Sequence, residues 1–430
     1  MKFLLLSLLT ILALVEGAKA EENVSADISY FKTKMEAYKK THSPDIKPIS
    51  TKVKAMFMEL LSRRYNRTSK GIMEANANST SELFQGDIVL TRHQADLLLS
   101  GDSPSKRQAI RTNVTSIWDK GFFYSFHPNF PEHHKTVVKL AIGYWHNNTC
   151  INFAQSDTEP NRVRFEVTDK GCWSMYGRVG GVQSLSIGNN CDTVGISAHE
   201  IGHALGLFHE HIRPDRDAFV SINTANMQKG QEYNMNRENT GRSEDYKMPY
   251  DYGSVMHYSS NTFAASATPV MIASNPLYQD GMGTHMMSFR DFKLVNKCME
   301  KCSAAQHSAC SANGGYAHPR SLIKAQPRSI INAQAAEQTM LIEIGPQGRA
   351  PVGKRVVATI TNHNEWHCYR GCVVGGFEFK WRNDLTVAGS RHCCPADLNK
   401  PLTTESSNIL PIIAFNRQGR QAITIKYKFI

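Results

Sequence analysis

The sequence has no internal repeat, and after its first fifteen residues it has no apolar run of the ~20 residues that a bilayer crossing takes. Its 41% of hydrophobic and 20% of charged residues exclude a fibrous chain, a coiled coil and a chain that is disordered throughout. Acidic residues are scarce relative to basic ones, 38 against 49, which gives a net charge of +11. That excess alone would suggest a nucleic-acid partner. Ten cysteines instead favour an oxidising compartment with disulfides, and 430 residues leave room for two or three domains.

Residues 1–20 are predicted to be a signal peptide. Lys2 precedes an apolar stretch from Phe3 to Val15, and Ala18-Lys-Ala20 supplies the small residues of a cleavage site. An uncleaved membrane anchor is the alternative, but the apolar stretch is shorter than the ~20 residues a span requires. We therefore expect a secreted, extracellular protein without a membrane span. Five Asn-X-Ser/Thr sequons agree and are candidate glycosylation sites: Asn23, Asn66, Asn78, Asn113 and Asn147.

Composition divides the remaining chain into four segments. The first lacks cysteine, has helix-like stretches such as Val53 to Arg64, and ends in the dibasic pair Lys106-Arg107 behind a turn region, a candidate processing site. The second has aromatic-rich strands and one clear helix, which predicts an α+β domain. The third is loop-like, and the fourth has regularly spaced short strands, which predict a small β-sandwich. The boundaries are 21–107, 108–302, 303–334 and 335–430. The predicted strands are Phe122 to Phe126, Arg162 to Val167, Met340 to Ile344, Arg355 to Ile360, Gly376 to Trp381 and Ala422 to Phe429.

The stretch that begins His199-Glu-Ile-Gly-His predicts a catalytic metal site. His199 and His203 are four residues apart, so on a helix both imidazoles lie on one face and can bind one ion. Glu200 is placed to reach a water molecule at that ion. Gly206 can adopt the left-handed conformation that ends a helix, which allows His209 to return to the same ion. Three neutral imidazoles and one open position are the arrangement of a catalytic zinc, one ion per subunit.

A second motif, Tyr252-Gly-Ser-Val-Met-His-Tyr258, follows about fifty residues later and matches the Met-turn of metzincins. Met256 would pack beneath the three histidines as an adaptable hydrophobic floor. Tyr258 would present its phenol to the metal or to a developing oxyanion. Most Met and Tyr residues are ordinary core residues, but the spacing after the zinc motif favours the functional interpretation here.

Together these motifs resemble those of the astacin metalloproteases, in particular the multi-domain type common in nematodes. The resemblance also rests on Gly171 to Arg178, Gly188 to Cys191, Arg213 to Asp217 and Tyr250 to Tyr258. It implies an α+β metzincin domain over residues 108–302 with a zinc-binding helix. It implies further that Glu200 is the general base and later the proton donor, and that Tyr258 stabilises the tetrahedral intermediate. The implied zinc ligands are His199, His203 and His209.

The resemblance also implies a zymogen with residues 21–107 as propeptide. Asp87, within Phe84-Gln-Gly-Asp-Ile88, resembles the family's propeptide switch, which occupies the position of the catalytic water. Without the family context, a turn would be the better interpretation of this Gly-Asp pair. Cleavage after Arg107 would make Gln108 the mature N-terminus, and its ammonium would pair with Glu210.

Cysteines divide into four that the resemblance pairs and six whose pairing is open. The implied disulfides are Cys150 with Cys298 and Cys172 with Cys191. Cys302, Cys310, Cys368, Cys372, Cys393 and Cys394 allow fifteen pairings. Cys393 and Cys394 are adjacent, and we expect separate partners because a vicinal disulfide is strained. The segment from Cys302 resembles a truncated EGF-like module, and residues 335–430 resemble a CUB-like domain, with Cys368 to Cys372, Phe377 to Lys380, Gly389 to Cys393 and Leu410 to Ile413 as its signature.

The expected function is that of a secreted zinc endopeptidase that cleaves extracellular proteins, such as cuticle, eggshell or host tissue proteins. One alternative is a catalytically dead secreted binding protein, against which Glu200 and the full ligand set argue. The other is a basic adhesion module. The residues after Cys302 hold fifteen basic and seven acidic side chains, whereas residues 108–302 are nearly neutral. Matrix or acidic glycans are therefore expected partners of the tail, and nucleic acid is not.

Overall fold

The computed structural model describes residues 23–47, 72–80, 82–99, 117–238, 245–298, 322–324, 330–336, 340–344, 353–364, 368–416 and 420–430. Several predictions fall outside these ranges, namely the helix-like stretch Val53 to Arg64, the processing site Lys106-Arg107, Gln108, Asn66, Asn113, Cys302 and Cys310. Within them, no helix combines the length and the apolar character that a bilayer crossing demands.

The described residues form helices and strands in an α+β arrangement. The helices are α1 (23–41), α2 (Ile72–Ala75), α3 (Arg92–Leu99), α4 (Glu132–Asn148), α5 (Val194–Ala204) and α6 (Phe289–Cys298). The first eight strands are β1 (Ile88–Val89), β2 (Phe122–Phe126), β3 (Phe153–Gln155), β4 (Arg162–Glu166), β5 (Cys172–Met175), β6 (Val182–Ile187), β7 (Val220–Ile222) and β8 (Met271–Ala273). The last nine are β9 (Leu322–Lys324), β10 (Ile330–Ala336), β11 (Met340–Ile344), β12 (Val356–Asn364), β13 (Gly375–Phe379), β14 (Ser390–His392), β15 (Pro401–Thr403), β16 (Leu410–Asn416) and β17 (Arg420–Phe429).

A six-stranded sheet in the order β1-β5-β6-β4-β2-β3 supports the zinc motif. Strands β6, β4, β2 and β3 run parallel, and β5 is antiparallel to β6. Helices α4 and α5 share one core with these strands, because the inward residues of each element are apolar. Two indoles fix α5 against that core: Trp145 Nε1 donates to Ala198 O at 3.1 Å, and Trp118 Nε1 donates to Ala204 O at 2.7 Å. The zinc helix is therefore anchored along its length.

The segment ahead of the dibasic pair supplies an edge of this sheet. Strand β1 runs parallel to β5, with Ile88 opposite Ser174 and Val89 opposite Met175. Apolar residues of the segment, among them Phe31, share a buried cluster with Tyr176. The described part of residues 21–107 thus packs on the α+β domain rather than forming a core alone.

The C-terminal region forms two facing sheets, as its regularly spaced strands predict. The sheets begin earlier than expected, because β9 and most of β10 lie within residues 303–334, which were expected to be loop-like. One sheet has the order β14-β13-β16-β11-β9 and the other β10-β17-β12-β15. Phe377 and Ile412 from the first sheet and Ile360, Ile425 and Tyr427 from the second share one buried core. The arrangement is a β-sandwich, and along β17 buried residues alternate with more exposed ones from position 421 to 428.

Three disulfides lie among the described residues. Cys172 is bonded to Cys191, the pair that the resemblance implies. Cys368 is bonded to Cys394 and Cys372 to Cys393, so the two adjacent cysteines have separate partners, as expected. Cys150 is also disulfide-bonded. The side chain of Cys298 lies outside the described residues, so the Cys150–Cys298 pair stays a prediction.

Candidate active site

Helix α5 begins and ends at residues suited to those positions. Thr193 caps its N-terminus, where the Thr193 Oγ1 accepts a hydrogen bond from Ile196 N at 3.2 Å. At the other end Gly206 has φ +94°, and Gly206 N donates to His203 O while Leu207 N donates to Gly202 O, both at 2.9 Å. These two bonds form a Schellman motif, which turns the chain back towards the helix. The turn returns His209 to the face that carries the other histidines.

The three imidazoles converge on one point. His199 Nε2 lies 3.0 Å from His203 Nε2 and 3.2 Å from His209 Nε2. Each Nδ1 contacts an oxygen that can only accept, so Nδ1 carries the proton and Nε2 presents a lone pair. Three lone pairs that face each other at this distance can share one cation, and neutral imidazole is the form that binds Zn²⁺. The acceptors are Val255 O for His199 (2.7 Å), Leu207 O for His203 (2.8 Å) and Gln85 Oε1 for His209 (2.7 Å).

The charge state of these imidazoles agrees with that role. His209 is fully buried, and burial lowers its pKa to about 3 although the carboxylate of Asp87 acts in the opposite direction. Burial also lowers the pKa of His203. Both rings are therefore neutral at physiological pH.

Asp87 lies at the centre of the cluster. Its Oδ2 is 3.1 Å from His209 Nε2 and 3.3 Å from His199 Nε2, and its Oδ1 is 3.6 Å from His203 Nε2. Tyr258 donates a hydrogen bond to the same Oδ2 at 3.2 Å. Asp87 and the three histidines are a candidate metal-binding group.

Glu200 is buried beside this group without any hydrogen-bond partner. Both carboxyl oxygens of Glu200 are shielded from solvent, and neither accepts a bond within the described part of the chain. Burial, and then the charge of Asp87, raises the pKa of Glu200 well above its usual range. A buried carboxyl group without a structural partner is costly, so a function at the site is the better explanation for its presence.

Comparison with known proteins identifies the family that shares this geometry. Residues 110–300 match the family model of astacin, a family of peptidases. Zinc metalloproteinase nas-31 of Caenorhabditis elegans is 33% identical over 391 residues, which cover 81% of this chain and 63% of that protein. Zinc metalloproteinase nas-17 of the same organism is 29% identical over 418 residues, 89% of this chain and 94% of that protein. This chain belongs to the astacin family.

A solved structure is also similar to this astacin. High choriolytic enzyme 1, a hatching enzyme zinc-protease from Oryzias latipes, is 31% identical. The match covers 42% of this chain and 90% of that chain, with a TM-score of 0.39. Astacins use a catalytic zinc, and the three-histidine cluster fits that ion in ligand type and spacing.

The Met-turn of this astacin lies directly under the metal-binding helix. A Cβ on Gly202 would lie 2.6 Å from Met256 Sδ, so a side chain at position 202 would displace the Met256 thioether. Met256 O also accepts a hydrogen bond from Glu210 N at 3.0 Å. The structure thus packs Met256 against the helix that carries His199 and His203.

Two residues that support the site are not apparent from the zinc motifs. Gln85 orients His209, and Asp291 holds the Met-turn by accepting bonds from Ser254 Oγ at 2.5 Å and Val255 N at 3.0 Å. A signal for Asp291 exists in the sequence, because Ser288-Phe-Arg-Asp291 is a capping box at the start of α6. For Gln85 the only signal is its place two residues before Asp87.

Glu210, the expected partner of the mature N-terminus, is engaged by other groups in this form. Its Oε1 accepts bonds from Asp251 N at 2.8 Å and from Arg213 Nη1 at 3.3 Å. Burial raises the pKa of Glu210 to about 8, while the Arg213 charge acts to lower it. Because Gln108 lies outside the described residues, the pairing with Glu210 stays a prediction.

Three of the five sequons lie in described parts of this astacin. Asn23, Asn78 and Asn147 are all exposed. Exposure is what an N-linked glycan requires.

Proposed function

We propose that this astacin is a secreted, zinc-dependent endopeptidase that is synthesised as a zymogen and cleaves extracellular proteins. The observation that carries the proposal is the buried, unpartnered carboxyl group of Glu200 beside three converging imidazoles. A dead binding protein with the same scaffold would have no use for that carboxyl group, since an uncompensated buried carboxyl is costly.

The mechanism follows from the positions of the side chains. His199, His203 and His209 would hold zinc through their Nε2 atoms. Zinc there supplies the Lewis acidity that activates water and polarises the scissile carbonyl. Glu200 accepts the proton of the attacking water and delivers it to the leaving amine. The Tyr258 hydroxyl donates a hydrogen bond to the oxyanion.

Latency is explained by the contacts of the segment ahead of the dibasic pair. Asp87 occupies the space between the imidazoles, where water and substrate would otherwise enter. The same segment engages the oxyanion donor, because the Tyr258 hydroxyl donates to Asp87 Oδ2 and to Gln85 O. Cleavage after Arg107 and loss of the segment before it would free both the space between the imidazoles and the Tyr258 hydroxyl.

The peptidase proposal is tested with the full-length protein after trypsin activation. Wild type is expected to cleave a peptide library, and a zinc chelator is expected to stop cleavage reversibly. The kcat of Glu200→Ala is expected to be about 10²- to 10⁴-fold lower than that of wild type, because this is the usual contribution of a general base. Its zinc content is expected to be unchanged. Glu132→Ala, at an exposed carboxylate on α4, is the matched control. Retained turnover in Glu200→Ala would overturn the assignment.

A second candidate function is adhesion to anionic matrix or glycans, favoured by one face of the sandwich. The four strands β10, β17, β12 and β15 contain no Asp or Glu. Lys426 and Lys428 are exposed on β17, opposite Thr359 and Val357 of β12, and Arg355 lies beside them. Residues two apart on a strand lie on one face, roughly 7 Å from each other. This spacing gives a basic row suited to a sulfated or carboxylated polymer.

Charge reversal tests this surface. Lys426→Glu/Lys428→Glu is expected to elute from a heparin column at clearly lower salt than wild type. Lys135→Glu/Lys139→Glu, on α4 of the catalytic domain, makes the same change in net charge elsewhere. An equal shift for both double variants would mean that only net charge matters, and the adhesion proposal would fail.

A further inference from the structure

The sandwich contacts the catalytic domain through a short rigid segment, residues 368–372, which we name the disulfide corner. Cys368 and Cys372 at its two ends are bonded to Cys394 and Cys393. All four sulfurs belong to one buried cluster, against which Met286 of the catalytic domain packs. The corner therefore cannot move independently of the sandwich.

The disulfide corner packs directly against one wall of the substrate cleft. A Cβ on Gly371 would lie 2.3 Å from Gly283 O, and a Cβ on Gly283 would lie 2.4 Å from Ser259 Cα. Three backbones are thus stacked without room for a side chain between them. Gly283 and Ser259 line a cleft of about 220 Å³ that reaches His199 and is bounded on one side by residues of the segment ahead of the dibasic pair. A displacement of the corner would be transmitted directly to this wall.

Arg370 of the same corner bridges both ends of a cleft loop. Its Nη1 donates to Ser260 Oγ at 3.3 Å, and its Nη2 donates to Ala267 O at 2.8 Å. Ser260 follows Tyr258 by two residues, and Asn261 to Ala264 between the bridged residues line the cleft. The guanidinium therefore joins the two ends of this loop.

Two further contacts prevent the sandwich from pivoting about the corner. Arg290 donates to Asp384 Oδ2 at 2.8 Å and to Thr386 Oγ1 at 3.1 Å. Ala388 N donates to Asp251 Oδ1 at 3.3 Å, just ahead of the Met-turn. The two contacts lie on different segments of the catalytic domain, so together they fix the orientation of the sandwich.

We propose that the C-terminal sandwich is a positioning element of the substrate cleft. It acts through Arg370 and the disulfide corner on the wall that contains Ser259, residues 261–264 and residues 283–285. The inference rests on the proposed peptidase function. Arg370 is a positioning residue, since its two bonds hold a loop whose residues line the cleft.

The test uses full-length, trypsin-activated protein and peptides lengthened by one residue at a time on either side of the cleaved bond. Arg370→Ala is expected to raise KM about fivefold, because one or two hydrogen bonds are lost. We expect this rise only for peptides long enough to reach the wall. The kcat of the variant is expected to stay within about twofold of the wild-type value. Arg370→Lys, which keeps one donor and the charge, is expected to restore part of the loss.

Arg162→Ala is the matched control. Arg162 also bridges a serine hydroxyl and a main-chain carbonyl, Ser125 Oγ at 3.3 Å and Glu159 O at 2.7 Å, and it does not line the cleft. If Arg370→Ala has the wild-type KM for every peptide, the inference is wrong. An equal loss of kcat on all peptides together with a lower melting temperature, which indicates general destabilisation, would also overturn it. Absence of zinc-dependent hydrolysis in wild type would contradict the proposed function instead.

Discussion

Each of the three histidines donates its Nδ1 proton to a different acceptor. Two acceptors, Val255 O and Leu207 O, are main-chain carbonyls of the catalytic domain, whereas the third, Gln85 Oε1, belongs to the segment ahead of the dibasic pair. The imidazole of His209 would therefore lose its acceptor in the proposed activation by removal of that segment. Such an activation would change the surroundings of this imidazole as well as open the space occupied by Asp87.

Among single residues, Asp87 gives the most direct prediction. Asp87→Ala is expected to give the uncleaved protein a low but measurable peptidase activity, because the carboxylate no longer fills the space between the imidazoles. Asp96→Ala is the control. The Asp96 carboxylate belongs to the same segment, is half-exposed and pairs with Lys34, and its removal is expected to leave the uncleaved protein inactive. Hydrolysis of a fluorogenic peptide before trypsin treatment measures both. A silent Asp87→Ala protein that activates normally would contradict this role of Asp87.

Helix α5 shows how a short element is defined at both ends by single residues. Thr193 satisfies a free N–H at its start, and Gly206 supplies the positive φ at its end. The ends matter for function because His199 and His203 are on the helix and His209 is beyond it. The relative position of the third imidazole therefore depends on the turn at Gly206.

For this helix, Gly206→Ala is expected to weaken zinc binding and to lower the free energy of unfolding by about 1 kcal/mol. No atom lies within 4 Å of the added Cβ, so the cost comes from φ +94° alone. Gly143→Ala in α4 is the control, since its added Cβ also meets nothing within 4 Å and it sits inside a helix. Alanine there is expected to be neutral or to stabilise by up to about 1 kcal/mol. Urea unfolding and chelator competition measure the two quantities, and wild-type values for Gly206→Ala would refute the argument.

In the molecule as a whole, the sandwich carries a buried ionic group close to its contact with the catalytic domain. Glu378 accepts bonds from Lys380 Nζ at 3.1 Å, Arg391 Nε at 3.0 Å and Gly389 N at 2.8 Å. Burial would raise the pKa of Glu378, but Lys380 and Arg391 outweigh it and lower the pKa to about 2. A Cβ on Gly253 of the catalytic domain would lie 3.2 Å from Arg391, so this group also borders the interface.

Acid is therefore expected to destabilise the sandwich. The pKa of Glu378 falls from 4.5 in a free side chain to about 2 in the fold, so its stabilisation is complete above about pH 5 and is lost as the pH falls towards 2. The loss amounts to roughly 3 kcal/mol. Glu378→Gln is expected to flatten this pH dependence and to destabilise the protein at pH 7, because Arg391 and Lys380 stay buried without their partner. Urea unfolding at pH 7, 5 and 3 measures the free energy of unfolding and its pH dependence. Glu405→Gln, at a half-exposed carboxylate, is the control, and equal slopes for both variants would contradict the prediction.

Features that depend on neighbours along the chain can be predicted from the sequence. The predicted strand Phe122 to Phe126 coincides with β2, and Met340 to Ile344 coincides with β11, because alternation and turn residues define a strand locally. The zinc motif is local in the same sense. A spacing of four residues places His199 and His203 on one helical face, and a glycine at position 206 permits the turn that follows.

Contacts between segments that lie far apart in the chain depend on the tertiary structure. Gln85 meets His209 across 124 positions, and Arg370 meets Ser260 across 110. The disulfide partners of Cys393 and Cys394 likewise depend on the packing of the disulfide corner beside the end of β14. The chemistry of the site can be read from the amino-acid order alone, since helix periodicity and backbone conformation act over a few residues. The contact of Gln85 with His209 and the position of the sandwich come from the packing of whole elements, because no local spacing encodes which distant surfaces fit.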